Sequence, residues 1–168
     1  SLTERVALLK GLPAAKLDET FAALTDTPGA EKLVKTMRKN GARCVLISGG
    51  FTVFADKVAA RLGCHAAHSN ILDIADGALT GQVLPPILDS LRKRSIREDE
   101  RNRLKSGNSD VLAVGDGAND IPMLEAAGIG VAFRAKPKVE AITPYRIRYG
   151  DLSSLLYLQG YTEEGIVG

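Results

Sequence analysis

A short loop rich in glycine and acidic residues constrains the fold of this chain more than any other feature. The loop spans Gly115–Asp120 and reads GDGAND. The apolar run Val111–Val114 before it predicts a buried strand, and the residues from Ile121 onward predict a helix with a proline in its first turn. Two carboxylates and an amide therefore follow a strand at its carboxyl end, where open α/β sheets bind ligands. Such oxygen donors suit Mg²⁺ bound together with a phosphate, and a plain turn capped by Asn119 or Asp120 is the alternative.

Strand and helix patterns alternate along the rest of the chain. The patterns predict helices over 1–25, 30–39, 51–62, 85–104, from 121, 138–141 and 152–158. They predict strands over 44–47, 66–83, 111–114, 129–133 and 146–149, with a hairpin at Asp76-Gly77 in the second of these segments. Strands that alternate with helices predict an α/β fold, a Rossmann-like parallel sheet with helices on both faces.

Composition limits the partners that such a chain can have. Its 168 residues fit one domain, with 45% hydrophobic and 25% charged residues. A net charge of +2 gives no reason to expect a nucleic acid or membrane partner, and no apolar run is long enough to cross a bilayer. The two cysteines, Cys44 and Cys64, lie in or beside predicted core elements and indicate reduced thiols in a cytoplasmic protein.

A second glycine-rich segment follows the first predicted strand. Ser48-Gly49-Gly50 lies between that strand and a helix, where a hydroxyl and exposed backbone N–H groups would bind an anion. A glycine turn with a serine cap is the alternative. Two such segments at strand ends of one sheet predict a phosphate pocket beside a metal pocket.

Lys93 is the basic residue that we consider for the same chemistry. A lysine that reached the pocket would neutralise phosphate charge. It lies in the charged run from Arg92 to Lys105, however, and such runs are commonly the solvated face of a helix. Spacing alone leaves both interpretations open.

Two other patterns are set aside. Cys64, His65 and His68 are three candidate metal ligands within five residues, but no second pair of ligands accompanies them. Gly128-x-Gly130 precedes a strand instead of following one, which excludes the dinucleotide-binding loop.

Several segments together resemble motifs II, III and IV of the haloacid dehalogenase superfamily, and in particular its members that hydrolyse O-phosphoserine. The segments are Ser48–Thr52, Lys93 and Gly115–Asp120, in that order, with further likeness at Arg5–Leu12, Leu79–Gly81, Ala135–Pro137 and Leu155–Tyr161. The resemblance implies that residues 1–27 are the C-terminal part of a helical cap. It implies that residues 28–168 are the superfamily's core.

The resemblance also implies roles for individual residues. Asp116 would bind Mg²⁺ and Asp120 would help to orient the metal's ligands. Ser48, the Gly49 amide and Asn119 would contact the phosphoryl group, and Lys93 would neutralise its charge. Arg5 would bind the carboxylate of the substrate.

One element of the superfamily has no counterpart in the sequence. Its nucleophile is the first aspartate of an Asp-x-Asp-x-Thr motif on a strand before the cap, and nothing in residues 1–168 matches that motif. The missing strand would lie in the centre of the sheet, between the strands that end at Ile47 and Val114. We therefore expect the chain to be part of a longer protein, to be inactive alone, and to need the N-terminal segment of the same protein as its partner.

The expected function is Mg²⁺-dependent hydrolysis of O-phosphoserine to serine and phosphate, as a step of L-serine biosynthesis. Two alternatives stay open: a phosphatase of the same superfamily for another small phosphomonoester, and a non-catalytic module that binds phosphate or Mg²⁺. The sequence also leaves open whether the protein forms a homodimer.

Overall fold

Eight α-helices and six β-strands make up the chain in this computed structural model, which describes all residues from 1 to 168. The helices are α1 (Leu2–Ala7), α2 (Ala15–Ala22), α3 (Ala30–Lys39), α4 (Thr52–Leu62), α5 (Ser90–Arg103), α6 (Ile121–Glu125), α7 (Pro137–Glu140) and α8 (Ser154–Leu158). The strands are β1 (Val45–Phe51), β2 (Ala66–Ala75), β3 (Ala78–Leu84), β4 (Leu112–Gly115), β5 (Ile129–Phe133) and β6 (Tyr145–Ile147). The expected α/β class is confirmed. None of the helices combines the length and apolar character needed to span a bilayer.

The strands form two three-stranded sheets, β1-β2-β3 and β4-β5-β6. β1 and β4 each lie at an edge of their own sheet. A strand missing between them would leave these same edges unpaired, and that strand itself stays a prediction.

The chain divides into two compact units. The first unit comprises Ser1–Ile87 and Tyr161–Gly168, and the second unit comprises Leu88–Gly160. These units do not follow the boundary at residue 27 that the resemblance implies, and the division into cap and core stays a prediction. The C-terminal tail belongs to the first unit because the Val167 N–H donates to the buried Thr36 hydroxyl at 3.0 Å.

In the first unit the N-terminal segment is fixed to the β2–β3 hairpin. The helical stretch expected over residues 1–25 is interrupted, since α1 ends at Ala7 and α2 begins at Ala15, and Gly11 between them has a φ of +85°. The Gly11 N–H donates to the Leu79 carbonyl at 2.8 Å, and the Leu79 N–H donates to the Leu12 carbonyl at 2.9 Å. Val6 of α1 is then buried in a core cluster that also contains Leu17, Leu72 and Leu79.

The predicted hairpin in this unit is confirmed. β2 and β3 pair antiparallel, and Ala75 faces Ala78 across the turn. Asp76 and Gly77 both have positive φ, 53° and 75°, as a two-residue hairpin turn of this hand requires.

The second unit is an all-parallel sheet, β4-β5-β6, with α6 packed against β4 and β5. Its fully buried side chains lie on the central strand and on the two short C-terminal helices: Val131, Ala132, Val139, Leu155 and Leu156. Helix α5 begins at Ser90, later than the expected start at Pro85, because Asp89 caps it by accepting the Arg92 N–H at 2.8 Å.

Arg97 on α5 is a buried cation with incomplete pairing. It is 5% exposed, and its Nε and one terminal nitrogen form no hydrogen bond. The other terminal nitrogen, Nη1, donates to Asn108 Oδ1 at 3.3 Å. The distance from Arg97 Nη2 to Glu98 Oε1 is 3.6 Å, beyond hydrogen-bond distance. Burial lowers the pKa of the Arg97 guanidinium. The charge therefore costs desolvation free energy that few contacts offset.

We predict that Arg97→Met raises the free energy of unfolding by about 1 kcal/mol, because methionine keeps the apolar stem and removes the buried charge. Urea denaturation measures the change. The control is Arg94→Met, at an exposed position paired only with Glu98, which should shift stability by less than about 0.5 kcal/mol. Destabilisation by Arg97→Met would contradict this account.

Candidate functional site

The acidic loop of the second unit has the predicted arrangement. β4 ends at Gly115, a 3₁₀ turn covers Ala118–Asp120, and α6 begins at Ile121. β4 pairs in parallel with β5, so the loop leaves the sheet at the carboxyl end of a parallel strand.

Asp120 holds this loop together. Its side chain is buried, and its Oδ2 accepts hydrogen bonds from the backbone N–H groups of Asp116 and Gly117, each at 3.2 Å. Its Oδ1 accepts a hydrogen bond from Lys93 Nζ at 2.7 Å. Both carboxylate oxygens are thus engaged within the chain, which makes Asp120 an organiser of the loop.

Lys93, like Arg97, is a buried member of the charged run. Arg92 and Arg94 beside it are exposed, but Lys93 is only 5% exposed and faces inward together with Ile96. The interpretation of Lys93 as part of a solvated face is therefore wrong. A buried ammonium needs a charged partner, and Asp120 is that partner. Lys93 has three N–H donors, so it retains donors beyond the bond to Asp120.

Asp116 and Asn119 point their side chains to solvent. The Asp116 carboxylate forms no hydrogen bond or ion pair within the chain, although its backbone N–H is fixed by Asp120. No three His, Cys, Asp or Glu side chains in residues 1–168 are grouped so that they could hold a metal ion. Mg²⁺, however, is commonly bound by one or two carboxylates together with waters and a phosphate. A single unpaired carboxylate at this loop fits that mode of binding.

The glycines of the loop are required by close approach. A Cβ atom on Gly115 would lie 2.6 Å from the Cβ of Asp120, and one on Gly117 would lie 2.9 Å from Asn119 Oδ1. Any side chain at Gly115 would therefore displace Asp120 from Lys93. The GDG pattern reflects this packing.

In the first unit, Ser48, Gly49 and Gly50 lie within β1. The expected turn after Ile47 is wrong, since the strand continues to Phe51 and α4 begins at Thr52. Ile47 pairs with His68 and Phe51 with Asn70, so three residues of β1 face the single residue Ser69. This bulge frees the backbone from regular ladder pairing. Within it the Gly50 N–H donates to Ser48 Oγ at 3.0 Å.

Arg5 and Gly49 line one cavity of the first unit. The cavity has a volume of about 220 Å³ and is lined by Leu2, Arg5, Val6, Leu9, Gly49, Gly50 and Phe51. Burial of Val6 fixes α1 on the core, and Arg5 beside it is exposed and forms no hydrogen bond or ion pair within the chain. The cavity thus combines an unpaired cation with the glycines of the bulge.

Comparison with known proteins identifies the family. The sequence profile described as haloacid dehalogenase-like hydrolase matches residues 3–125. The chain belongs to this family.

Three relatives illustrate the likeness of this chain to known proteins. It is 39% identical over 166 residues to a probable phosphoserine phosphatase of Schizosaccharomyces pombe, which covers 98% of this chain and 56% of that protein. The crystal structure of a probable phosphoserine phosphatase from Vibrio cholerae in its unliganded form has a TM-score of 0.91 and 38% identity, covering 95% of this chain and 50% of that one. A substrate-bound phosphoserine phosphatase complex has a TM-score of 0.89 and 37% identity, covering 94% and 75%. The chain spans about half the length of the first two relatives.

The patterns set aside in the sequence have structural roles in the folded chain. His65 Nδ1 accepts the Cys44 N–H at 3.0 Å, which ties the starts of β1 and β2. A Cβ on Gly130 would lie 2.3 Å from the Leu124 carbonyl oxygen, so that glycine allows α6 to pack on the sheet.

Sequence reasoning missed Asn70. This residue of β2 is 1% exposed and donates from Nδ2 to the Gly49 carbonyl at 3.0 Å. The available signal was an asparagine inside a strand pattern, where that residue is disfavoured.

We predict strong energetic coupling between Lys93 and Asp120. Lys93→Met should lower the free energy of unfolding by about 3 kcal/mol, because it leaves a buried carboxylate without its cation. In Lys93→Met/Asp120→Asn the charge is removed from both positions, so the double variant should lose less stability than the two single variants summed. Urea denaturation of all four proteins measures the coupling energy, and simple additivity would contradict a buried ion pair.

Proposed function

We propose that the chain belongs to a Mg²⁺-dependent phosphatase that hydrolyses O-phosphoserine to serine and phosphate. The observation that carries the proposal is the cavity of the first unit, where Arg5 and the Gly49–Gly50 backbone lie together. Its volume of about 220 Å³ is below the usual range of pockets for drug-sized ligands, which favours a small metabolite. The names of the relatives at 37–39% identity support phosphoserine as that metabolite.

Arg5 would select the amino-acid end of the substrate. Its guanidinium has no partner within the chain, so it is available to form a bidentate ion pair with a carboxylate. Leu2 and Leu9 line the same cavity beside Arg5.

Ser48 and Gly49 would bind the phosphoryl group through the hydroxyl and the backbone N–H. Ser48 Oγ already accepts the Gly50 N–H, so the hydroxyl hydrogen remains available for a phosphoryl oxygen. In the second unit, Lys93 would neutralise phosphoryl charge with a remaining ammonium N–H, and Asn119 would donate its exposed amide. Each group would stabilise charge that grows during phosphoryl transfer.

Asp116 would be the ligand that this chain gives to Mg²⁺, and Asp120 would orient it by fixing the Asp116 N–H. A bound Mg²⁺ would supply positive charge against the phosphoryl oxygens. Because both oxygens of Asp120 are already engaged, we assign it orientation of the loop in place of direct ligation.

A segment that precedes residue 1 in the whole protein would supply the nucleophile. The proposed reaction transfers the phosphoryl group from serine to an aspartate of that segment, and water then hydrolyses the acyl phosphate. Residues 1–27 would be part of a cap over the substrate and residues 28–168 the core.

The proposed setting is the cytoplasm, where the reaction would supply L-serine. Cys44 and Cys64 are free thiols, which supports a reducing compartment. Burial raises the pKa of Cys44 to about 11. A thiol with that pKa stays protonated and unreactive at neutral pH.

The full-length protein should release phosphate from O-phosphoserine in Mg²⁺ and stop when EDTA is added. A malachite green assay over a panel of small phosphomonoesters measures the release. If the protein releases phosphate faster from another ester of the panel, that ester is the substrate and phosphoserine is not. No release from any ester would overturn the enzyme assignment and favour a binding module.

Arg5→Ala should raise the KM for O-phosphoserine by about tenfold to a hundredfold, because a charge-assisted bidentate contact is lost. The KM for O-phosphoethanolamine, which lacks the carboxylate, should change little. Lys10→Ala, an exposed cation on the same segment, is the matched control. Equal changes for both substrates would remove Arg5 from carboxylate recognition.

Asp116→Asn should abolish Mg²⁺-dependent turnover of the full-length protein and leave its unfolding transition unchanged, since the carboxylate is exposed and unpaired. Asp56→Asn, another exposed carboxylate, should keep full activity. Turnover of Asp116→Asn at the wild-type rate would show that Asp116 is not the metal ligand.

A further inference from the structure

The bulge that carries Ser48 and Gly49 has a buried anchor on the neighbouring strand. We propose that Asn70 is a positioning residue that fixes the Gly49–Gly50 peptide and thereby aims the Ser48 hydroxyl at the phosphoryl group. The inference rests on the proposed function of that bulge as the phosphoryl-binding segment.

The geometry places two hydrogen bonds on one rigid peptide group. The Gly49 carbonyl and the Gly50 N–H belong to the same planar unit. Asn70 Nδ2 donates to the Gly49 carbonyl at 3.0 Å, and the Gly50 N–H donates to Ser48 Oγ at 3.0 Å. A continuous chain of hydrogen bonds therefore runs from the Asn70 amide through this peptide to the Ser48 hydroxyl.

The bulge explains why such an anchor is needed. Three residues of β1 face the single residue Ser69 of β2, so regular ladder bonds cannot hold every peptide group of this segment. Glycines at positions 49 and 50 leave the backbone free to rotate. Without Asn70 the Gly49–Gly50 peptide could turn, and the Gly50 N–H would leave Ser48.

The hydrogen-bond direction also determines what Ser48 can do. Its oxygen accepts from Gly50, so its own hydrogen is left to donate to an anion. Hydrogen bonds in a chain polarise one another, which makes the terminal hydroxyl a better donor. Asn70 thus acts on the phosphoryl group through the peptide and Ser48, without touching the substrate.

Burial of Asn70 fits this role. The residue is 1% exposed, and a buried amide costs free energy unless it is hydrogen-bonded. Its neighbour Ser69 differs, because the buried Ser69 hydroxyl has no hydrogen-bond partner. Ser69→Ala is therefore a matched control that alters the same strand, facing the same bulge, without removing a bond.

The test uses the full-length protein and its Asn70→Ala, Asn70→Asp and Ser69→Ala variants. Inorganic phosphate and L-serine serve as separate probes of the two ends of the substrate. Both Asn70 variants should weaken phosphate binding about tenfold, because Asp offers Gly49 an oxygen where Asn offers a donor. L-serine binding should stay within about twofold in every variant, and Ser69→Ala should match the wild type with both probes. Equal weakening of both probes, or unchanged phosphate binding, would overturn the proposal.

Phosphate binding is followed by ³¹P NMR, so this result does not depend on turnover. A protein that binds phosphate through this chain of hydrogen bonds but hydrolyses no phosphomonoester would refute the proposed function and leave the role of Asn70 standing. A wild type that binds no phosphate would overturn the role of Asn70, and phosphate release from the ester panel would still decide the proposed function.

A second measurement needs no variant. In the wild type, a scalar coupling across the hydrogen bond should connect the Asn70 side-chain nitrogen to the Gly49 carbonyl carbon, and the Gly50 amide should exchange slowly with solvent. Absence of the coupling together with fast exchange of Gly50 would contradict the proposed anchor even if the Asn70 variants fail to fold.

Discussion

The buried ion pair between Lys93 and Asp120 is the interaction on which the candidate site of the second unit depends. Each charge would be unstable alone in the interior, and together they fix a helix to a strand-end loop. The other oxygen of Asp120 accepts hydrogen bonds from two backbone N–H groups of the loop. The Asp116 carboxylate is thereby held at the surface with no partner within the chain. Gly115 makes this possible because only a residue without a side chain fits against Asp120.

In the first unit, neutral hydrogen-bonding groups shape the candidate site. A bulge of Ser48, Gly49 and Gly50 presents a hydroxyl and backbone dipoles, and Asn70 fixes the peptide behind them. Arg5 reaches the same cavity because the segment after α1 is bonded to the hairpin. The first unit thus offers backbone dipoles and an exposed cation, and the second unit offers a buried cation and an exposed carboxylate.

Local sequence patterns predicted the features that short-range chemistry decides. The loop Gly115–Asp120 and its neighbours predicted a strand, a loop and a helix, and Asp76-Gly77 predicted a hairpin. Both predictions succeed because glycine conformation and hydrophobic periodicity act within a few residues. Features that depend on contacts with residues far away in the sequence could not be predicted from local patterns. Lys93 looks solvated until Asp120 is placed beside it. The bulge at Ser48 exists only against β2, and the break at Gly11 is completed by Leu79.

In the proposed function, residues 1–168 would hold and neutralise the phosphoryl group without accepting it covalently. The direct measurement is to quench the full-length protein in acid during turnover of O-phosphoserine and to locate the phosphorylated residue by peptide mass spectrometry. The account predicts a hydroxylamine-sensitive acyl phosphate on an aspartate that precedes residue 1, and no phosphate on any residue from 1 to 168. Phosphate on Ser48, or on any other residue of this chain, would contradict it.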